Sequence, residues 1–507
     1  MEENKTKAGF FQKVLDKVER VGNKLPQPVT LFVMLMGIVL VASLIASLLG
    51  VKAVHPGTGK TIEAVNLLDA AGIQRIFTEM VTVFTDFPPL GLVLVVMLGI
   101  GVAEKSGLIA VSLRAFVKSV PSKLITFSIV TAGMLSSIAA DAGYVVLIPL
   151  GAAIFYGMGR HPIAGLAAAF AGVSGGFGAN LFLTGLDPLL AAFTQPAARI
   201  IDPTYMVDAT ANWYLMAASV PVVGIAGTWV TEKILEPRLG KYEAHDELEK
   251  SNDEITPLER KGLRWAGITL LICLVIMGFM FIPEGSILRD ADGGLQPFFV
   301  SIVPFMFVIF FIVGLVYGIV TKTVKSDREV ASWTAESMAS MGGYIVLAFA
   351  AAQFVAYFNW SNLGLIVAVG GADTLKSIGF TGIPLIVAFI LVSSLINILI
   401  GSASAKWAIM APIFVPMLML MGYSPEMTQA AYRIGDSYTN ILTPLLPYFP
   451  IVIVFAQKYV KNIGLGTIIS AMLPFAIVFA LVRIPMMIIW MLLELPLGPD
   501  APLYFTP

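Results

Sequence analysis

The sequence is poor in cysteine, histidine and charged residues. Its 507 residues include one cysteine, Cys273, and three histidines, and only 13% of them are charged. One cysteine excludes an internal disulfide framework or a cysteine metal cluster, and no His-Glu-x-x-His zinc motif occurs. The net charge of −1 argues against a basic nucleic-acid surface. We therefore expect a protein that is not an enzyme and has no nucleic-acid partner.

Long apolar runs take the place of the missing charge. Hydrophobic residues make up 57% of the chain and are grouped in long blocks. As a helix, a block of about 20 residues crosses the roughly 30 Å of hydrocarbon in a bilayer. The composition predicts an all-α polytopic membrane protein, with the lipid bilayer as a partner. The first block follows a polar segment and is interpreted as a retained span, not a signal peptide.

The distribution of lysine and arginine predicts the orientation, because positively charged loops near span ends stay in the cytoplasm. The N-terminal segment 1–28 is placed in the cytoplasm, followed by membrane halves at 29–231 and 264–492. A charged linker at 232–263 is predicted to be cytoplasmic, and the tail 493–507, without lysine or arginine, to be external. The halves contain nine predicted crossings, at about 29–50, 84–103, 162–190, 213–231, 264–284, 298–321, 336–358, 425–456 and 465–492.

Two further apolar runs are predicted to form re-entrant hairpins. The run 124–159 has Asp141 as its only charge and basic residues at both ends, so it is predicted to enter from the cytoplasm and turn near SSIAADAG. The second hairpin, 377–421, contains GSASAKW and neither of its flanks is rich in basic residues, so it is predicted to enter from outside. Two short spans or one tilted, kinked helix remain the alternatives for 124–159.

The two halves are related by a repeat with an offset of 263 residues. The offset pairs Pro149 with Pro412, Met158 with Met421, Gly159 with Gly422, Pro162 with Pro425, Gly172 with Gly435 and Ser174 with Ser437. Because the hairpins enter from opposite sides, the repeats are predicted to be inverted. Interrupted helices in inverted repeats point to a secondary transporter that works by alternating access to a midplane site. A channel-like pore is the competing interpretation.

Charged residues inside the apolar segments mark the candidate site. They are Asp141, Asp187, Lys406, Arg433 and Asp436. Each costs at least about 2.5 kcal/mol at the centre of a membrane helix unless it faces a partner or water. Mutual pairing without a transport role is the alternative. In particular, Arg433 and Asp436 are three residues apart on one predicted helix and could neutralise each other.

Three motifs, GSASAKWAIMAPIFVPMLMLMGYSPE, YRIGDSYTNILTPLLPYFP and AGVSGGFGANLFLTGLDPLL, closely resemble the p-aminobenzoyl-glutamate transporter family, AbgT. The resemblance covers essentially the whole chain. It implies a homodimer in the bacterial inner membrane, with nine transmembrane helices and two hairpins per subunit. It also implies ion-driven uptake of p-aminobenzoyl-glutamate or a related aryl carboxylate and, in some members, efflux of sulfonamides. Transport of a different dicarboxylate is the alternative.

The resemblance also assigns individual residues. The substrate path falls on Asp187, Trp407, Pro425 and Arg433, and sodium contacts fall on Asn397 and Asp436. Sodium or a proton is the expected coupling ion, and no other cofactor is expected. A lysine at position 406 is not expected throughout the family.

Side-chain chemistry supports several of these assignments. An aryl carboxylate needs a stacking surface and a fixed cation, which Trp407 and Arg433 can supply. Asp436 and Asn397 carry the hard oxygen atoms that a small cation prefers. The alternatives are an ordinary packed aromatic at Trp407 and a plain helix–helix hydrogen bond at Asn397.

The breaks in the apolar segments add further candidates. Ser404 lies at the predicted start of a half-helix, where free N–H groups favour anions, and joins Lys406 as a substrate-binding candidate. Pro444, at the end of RIGDSYTNILTP, is a third. Asp141, at the first hairpin tip, and Asn180, at the end of GVSGGFGAN, are candidates for ion coupling.

Overall fold

The computed structural model describes residues 28–54, 60–138, 143–242, 255–291, 293–443, 446, 448–461 and 463–505. The predicted N-terminal segment up to residue 27 and two predicted site residues, Asp141 and Pro444, lie outside these ranges. Almost all the regular structure in the described residues is helical. The exception is an antiparallel pair of short strands, β1 (Lys52–Val54) and β2 (Thr61–Glu63).

Helices lie before and after the predicted linker, 232–263, and extend into it, and the division into two halves remains a prediction. The first half contains α1 (Pro28–Leu48), α2 (Ala70–Thr85), α3 (Pro88–Lys105), α4 (Leu108–Lys118), α5 (Ile125–Leu135), α6 (Ile148–Gly157), α7 (Pro162–Phe170), α8 (Leu186–Ala198), α9 (Trp213–Trp229) and α10 (Glu236–Leu239). The second half contains α11 (Pro257–Phe281), α12 (Gln296–Val300), α13 (Ile302–Thr321), α14 (Asp327–Ser340), α15 (Gly342–Trp360), α16 (Leu363–Ser377), α17 (Gly382–Leu399), α18 (Ala403–Leu420), α19 (Pro425–Thr439), α20 (Phe449–Gln457) and α21 (Leu465–Leu492).

Helical structure extends into both ends of the predicted linker, 232–263. At its first end, α9 continues through a π-helical turn, Val230–Leu235, into α10. At its second end, Thr256 and Glu259 form a capping box, in which each side chain accepts a hydrogen bond from the backbone N–H of the other residue. This arrangement satisfies N–H groups at the helix start, so α11 begins before the apolar span.

Nine helical stretches in the described residues are long and apolar enough to cross a membrane. They are Val29–Leu48, Ala70–Lys105, Trp213–Leu239, Pro257–Phe281, Ile302–Thr321, Gly342–Trp360, Gly382–Leu399, Ala403–Leu420 and Leu465–Leu492. The predicted fold class, an all-α polytopic membrane protein, is confirmed. These nine stretches are not the same as the nine predicted crossings. They include both helices of the second predicted hairpin and leave out the predicted crossings 162–190 and 425–456.

Two predicted crossings, 162–190 and 425–456, each with a predicted break, are divided into shorter helices. In the first, α7 continues as a π-helical turn, Ala171–Gly175, and the next α-helix in the described chain is α8. In the second, α19 ends at Thr439 and α20 begins at Phe449. Irregular backbone within a membrane is tolerated where protein or a water-filled cavity satisfies its polar groups. The two breaks therefore identify the part of the molecule in which a polar site can be built.

Residues related by the 263-residue offset adopt the same local structure. Gly159 and Gly422 both have a positive φ, 71° and 89°, and follow the ends of α6 and α18. Pro162 and Pro425 are the first residues of α7 and α19. A left-handed glycine favours the end of a helix and proline favours the first position of the next. The same residues therefore build the same connection in both halves.

A second repeated pair, Gly172 and Gly435, allows a close approach between backbones. A Cβ atom added to Gly172 would lie closer than 3.0 Å to the carbonyl oxygen of Val130 in α5. One added to Gly435 would lie equally close to the carbonyl oxygen of Ile390 in α17. Any larger residue would push these helices apart. In each half, the interrupted helix thus packs directly on the first helix of the predicted hairpin.

Both predicted hairpins consist of two helices that flank a break. Helices α5 and α6 lie on either side of the first predicted tip, and α17 and α18 lie on either side of the second. The Ser402 hydroxyl begins α18 by accepting a hydrogen bond from the N–H of Ala405. The side from which each hairpin enters, and the inversion of the repeats, remain predictions.

The described part of the predicted tail, 493–507, packs against the helices. Leu497 and Leu503 are buried. Ser424 donates its N–H to the carbonyl oxygen of Leu503 at 3.0 Å and its hydroxyl to that of Pro502 at 2.6 Å. Since Ser424 is also the N-cap of α19, the tail is bound to the start of that helix. Its external location remains a prediction.

Candidate functional site

Helix α19 is the centre of the candidate site. All 15 of its residues are buried, although several are polar or charged. The helix packs against α8, α17, α18 and α21. Because a polar group buried without a partner is costly, the charged residues of α19 must find partners inside the fold. Those partners define the site.

Arg433 forms an ion pair with Asp187. Its Nη1 donates to Oδ1 of Asp187 at 2.6 Å, and both side chains are almost fully buried. The second carboxylate oxygen, Oδ2, accepts hydrogen bonds from the N–H and the hydroxyl of Thr184, at 2.6 and 2.8 Å. Asp187 lies in the first turn of α8, just after the first irregular break. The ion pair therefore joins the interrupted segment of one half to that of the other.

Asp436 forms a second ion pair, with Lys406. The Nζ of Lys406 donates to Oδ1 of Asp436 and to Oδ1 of Asn397. Asn397 in turn donates its Nδ2 to the Asp436 carbonyl oxygen at 2.6 Å and to the Thr439 hydroxyl at 2.8 Å. All three side chains are buried. This network joins α17, α18 and α19, and it places the predicted tip lysine next to the predicted ion ligands.

The possibility that Arg433 and Asp436 neutralise each other is wrong for this structure. The two residues share α19, yet each is paired with a residue from a different helix. Spacing along one helix predicts which residues share a face, but the long side chains of this site reach across to neighbouring helices. The two charges therefore belong to separate ion pairs.

The arrangement does not fit the sodium ion that the resemblance implies. Sodium would contact Asn397 and Asp436, but Oδ1 of each residue accepts a hydrogen bond from Lys406. The ammonium group thus stands where the metal ion would have to be. Among the described residues, no group of three or more His, Cys, Asp or Glu side chains offers another metal site.

Trp407 is enclosed by protein. Its side chain has no exposed area, and its ring stacks on that of Tyr432 with the centroids 4.4 Å apart. The indole Nε1 donates to the Thr194 hydroxyl at 2.9 Å, which itself donates to Gln429 at 2.6 Å. Trp407 therefore links α8, α18 and α19. Its predicted contact with substrate remains a prediction.

Shortening Trp407 separates the two roles considered for it. Trp407→Ala removes the stacked ring and is expected to destabilise the protein by about 3–5 kcal/mol, whereas Trp407→Phe keeps a ring and loses one hydrogen bond, about 1 kcal/mol. We expect Trp407→Phe to retain part of its aryl-substrate flux and Trp407→Ala to lose it. Thermal unfolding and flux in proteoliposomes provide the two measurements. Equal loss of flux in both variants would contradict a stacking role.

The other predicted residues lie around this centre. Asn180 is buried and donates to the Met134 carbonyl oxygen at 3.1 Å and to the Ser137 hydroxyl at 2.8 Å, so it joins the first break to the first hairpin. Ser404 lies in the first turn of α18 and is partly exposed. Pro425 starts α19, eight residues and therefore about 12 Å before Arg433. The structure thus brings Asn180 and Ser404 to the two breaks and leaves Pro425 at the other end of the helix.

Arg483 is a buried cation that the sequence interpretation missed. It lies in α21, with its Nη1 donating to the Ser437 hydroxyl at 2.7 Å and its Nη2 to the Gly178 carbonyl oxygen at 2.8 Å. Its Nε has no hydrogen-bond partner within the described residues. The signal was present, because Arg483 stands in the apolar run FALVRIPMM of the last predicted span. The rule that identified the other five charged residues applies equally to this one.

An apolar cavity of about 550 Å³ lies between α16, α17 and α18. Its wall includes Phe380, Phe389 and Phe414, and no charged side chain lines it. A dicarboxylate would lose its hydration there without gaining a cation, so this cavity does not suit such a substrate.

Comparison with known proteins gives matches along nearly the whole chain. A family model described as "AbgT putative transporter family" matches residues 13–505. The p-aminobenzoyl-glutamate transport protein of Escherichia coli strain K12 is 40% identical over 485 residues, which cover 95% of each chain.

Two solved structures of transporters are also similar. The YdaH transporter of Alcanivorax borkumensis has a TM-score of 0.89 at 44% identity, covering 94% of this chain and 100% of its own. MtrF of Neisseria gonorrhoeae, described as illuminating a class of antimetabolite efflux pumps, has a TM-score of 0.91 at 49% identity, covering 96% and 100%.

Proposed function

Because the chain belongs to the AbgT family of membrane transporters, not enzymes, we propose that it moves p-aminobenzoyl-glutamate or a related aryl carboxylate by ion-coupled alternating access. We further propose export of sulfonamide antimetabolites, as an antiporter, by the same site. The protein is proposed to be a homodimer in the bacterial inner membrane with its N-terminus in the cytoplasm.

The observation that supports this proposal is the pair of buried ion pairs at the helix breaks. The Asp187–Arg433 pair joins a segment of each half, and the Lys406–Asp436 pair joins two helices of the second half. Charges in the membrane are expensive and are kept where a transport pathway needs them. Their position beside interrupted helices in related halves is the arrangement that secondary transporters use for a central site.

The substrate class is supported by chemistry and by the relatives. The Escherichia coli relative is a p-aminobenzoyl-glutamate transport protein, and the similar MtrF is described with antimetabolite efflux pumps. An aryl carboxylate presents a ring and an acid group. The site offers aromatic residues, Trp407 and Tyr432, next to a guanidinium group, that of Arg433. These side chains suit the two parts of such a molecule.

The proposal is tested by flux into proteoliposomes that contain the purified protein. Labelled p-aminobenzoyl-glutamate, an aliphatic dicarboxylate and a sulfonamide are compared under an imposed sodium gradient and an imposed proton gradient. We expect saturable, gradient-driven flux of the aryl substrates. Non-saturable flux would indicate a pore, and preference for the aliphatic compound would indicate a different dicarboxylate transporter.

The control variants compare a buried cation with an exposed one. Lys406→Gln removes a buried ammonium, while Lys105→Gln removes an ammonium whose ion pair with Glu336 is exposed to solvent. Since exposed ion pairs contribute little, the Lys105 variant is expected to transport normally and the Lys406 variant to lose most of its flux. Equal activity of the two variants would contradict a role of the buried pairs in transport.

A further inference from the structure

We propose that the ammonium group of Lys406 is a built-in cation in the position that the resemblance assigns to sodium, and that it makes transport independent of sodium. This inference rests on the proposed function and goes beyond it. It concerns the choice of ion, which depends on Lys406, Asn397 and Asp436.

The first argument is the identity of the two oxygens that Lys406 contacts. Its Nζ donates to Oδ1 of Asn397 and Oδ1 of Asp436, the atoms implied as sodium ligands. Carboxylate and amide oxygens suit small metal cations and also accept hydrogen bonds from an ammonium group. A sodium ion cannot use the same two oxygens while the ammonium group lies between them.

The orientation of the Asn397 amide points its oxygen towards a cation, the ammonium group of Lys406. Its Nδ2 donates to the Asp436 carbonyl oxygen, the Thr439 hydroxyl and Oδ1 of Asn440, at 2.6, 2.8 and 2.8 Å. The Asp436 carbonyl oxygen can only accept a hydrogen bond, so the amide nitrogen, with its two hydrogen atoms, faces this group of oxygens. The amide oxygen therefore faces Lys406 and accepts its hydrogen bond.

Charge balance gives the same answer. Lys406 and Asp436 are both buried, and together they are neutral. A sodium ion added beside them would leave an uncompensated positive charge in a region that water does not screen. The ring of Tyr432, with its centroid 5.6 Å from Nζ, further favours the ammonium group. Because Lys406 belongs to α18, this cation moves with the second hairpin and cannot diffuse away.

The proposal is tested by removing the tethered cation and offering a free one. Thermal unfolding of the purified protein is measured in sodium chloride and in choline chloride at equal ionic strength. We expect the midpoint of the wild-type protein to be the same in both salts. In Lys406→Ala, which leaves the Asp436 carboxylate without its partner, sodium is expected to raise the midpoint by about 2 °C or more.

The double variant Lys406→Ala/Asp436→Asn is the matched control, because it also removes the carboxylate. Its midpoint is expected to be the same in both salts. A wild-type protein stabilised by sodium, or a folded Lys406→Ala protein indifferent to it, would overturn the proposal. If Lys406→Ala does not fold, the comparison of the wild-type midpoints in sodium chloride and choline chloride tests the proposal. Since unfolding needs no substrate, a failure of the proposed transport function would be seen separately in the flux assay.

A different observation supports a second proposal. We infer that Arg483 binds a carboxylate group of the substrate, which also rests on the proposed function. Its guanidinium group is buried, and its two hydrogen bonds go to uncharged acceptors on Ser437 and Gly178. Arg483 is not a member of either ion pair of the buried site.

The unused edge of the guanidinium suits an anion. Arg483 Nε has no partner in the described part of the chain, and a buried charge without a counter-ion is strongly unfavourable. Arginine binds a carboxylate through two parallel hydrogen bonds, which supply this missing charge. Gly178 places the group at the first break, since a Cβ there would lie 3.0 Å from both Arg483 Nη1 and the Arg433 carbonyl oxygen.

The test compares p-aminobenzoyl-glutamate with its uncharged diamide. Binding to the purified protein is measured by competition, and the ratio of the two dissociation constants is compared between variants. We expect Arg483→Gln to reduce the preference for the acid by about 10- to 100-fold, and Arg483→Lys to restore part of it. Binding of the diamide should change by less than about threefold.

Two outcomes would overturn this inference. One is an equal loss of both ligands in Arg483→Gln, which would indicate a structural role in holding Ser437 and Gly178. The other is a normal preference for the acid in Arg483→Gln/Asp141→Asn, which would indicate that Asp141 is the natural counter-ion. If the wild-type protein binds neither compound, the proposed substrate class fails instead.

Discussion

Replacing Arg433 with glutamine is expected to abolish transport and to destabilise the protein by about 3–5 kcal/mol, because it leaves the buried Asp187 carboxylate without its counter-ion. Asp187 keeps its hydrogen bonds from Thr184 in this variant, but these do not replace the lost positive charge. Thermal unfolding in detergent and flux in proteoliposomes measure the two effects.

Two double variants show which carboxylate is the partner. Arg433→Gln/Asp187→Asn removes both charges of one ion pair, and we expect most of the stability to return while transport stays absent. Arg433→Gln/Asp436→Asn leaves Asp187 unpaired and also deprives Lys406 of its counter-ion, so it should be less stable than either single variant. Rescue by Asp436→Asn in place of Asp187→Asn would contradict the pairing seen in the structure.

Replacing Gly435 with alanine is expected to have an effect of similar size on transport. The added Cβ would lie closer than 3.0 Å to the Ile390 carbonyl oxygen and the Ser393 Cβ, so α17 and α19 must separate. That movement would break the hydrogen bond that Asn397 Nδ2 donates to the Asp436 carbonyl oxygen, which depends on the same close approach. We expect at least about a 100-fold loss of flux and a loss of stability of about 1–3 kcal/mol.

Gly370→Ala is the matched control for this prediction. Gly370 lies inside α16, and a Cβ added there would meet nothing within 4 Å. The exchange should leave flux unchanged and stabilise the helix slightly, because alanine favours helices more than glycine does. A Gly435→Ala protein with normal flux would show that the two helices tolerate a wider spacing than the structure has.

Much of the fold could be predicted because a few rules are enough to locate membrane helices in a sequence. The apolar runs gave the fold class, and the offset of 263 residues located matching connections at Gly159 and Gly422. Helix α16 was missed, because its second half, with Asp373 and Lys376, is less apolar than a membrane span. The two divided crossings were predicted as broken, but their lengths depend on tertiary packing that no local pattern records.

The sequence predicted which charged residues form the site, but not which of them form ion pairs with each other. Charge within apolar segments identified Asp187, Lys406, Arg433 and Asp436, because each is costly in a membrane. It did not identify which residues pair, since Asp187 and Arg433 are 246 residues apart in the chain. Arg483 was overlooked in a span that was interpreted as purely apolar. A consistent count of charges in every span would have found it.

The separation of Asp187 from Arg433 has a consequence for how the protein is made. The ribosome adds about 5–20 residues per second, so Asp187 is synthesised about 12–50 s before its partner exists. During that interval α8 enters the membrane with an acid whose only partner in the final structure already made is Thr184, three residues away. Until the second half arrives, the Thr184 turn is the part of the final site that can already donate hydrogen bonds to this acid.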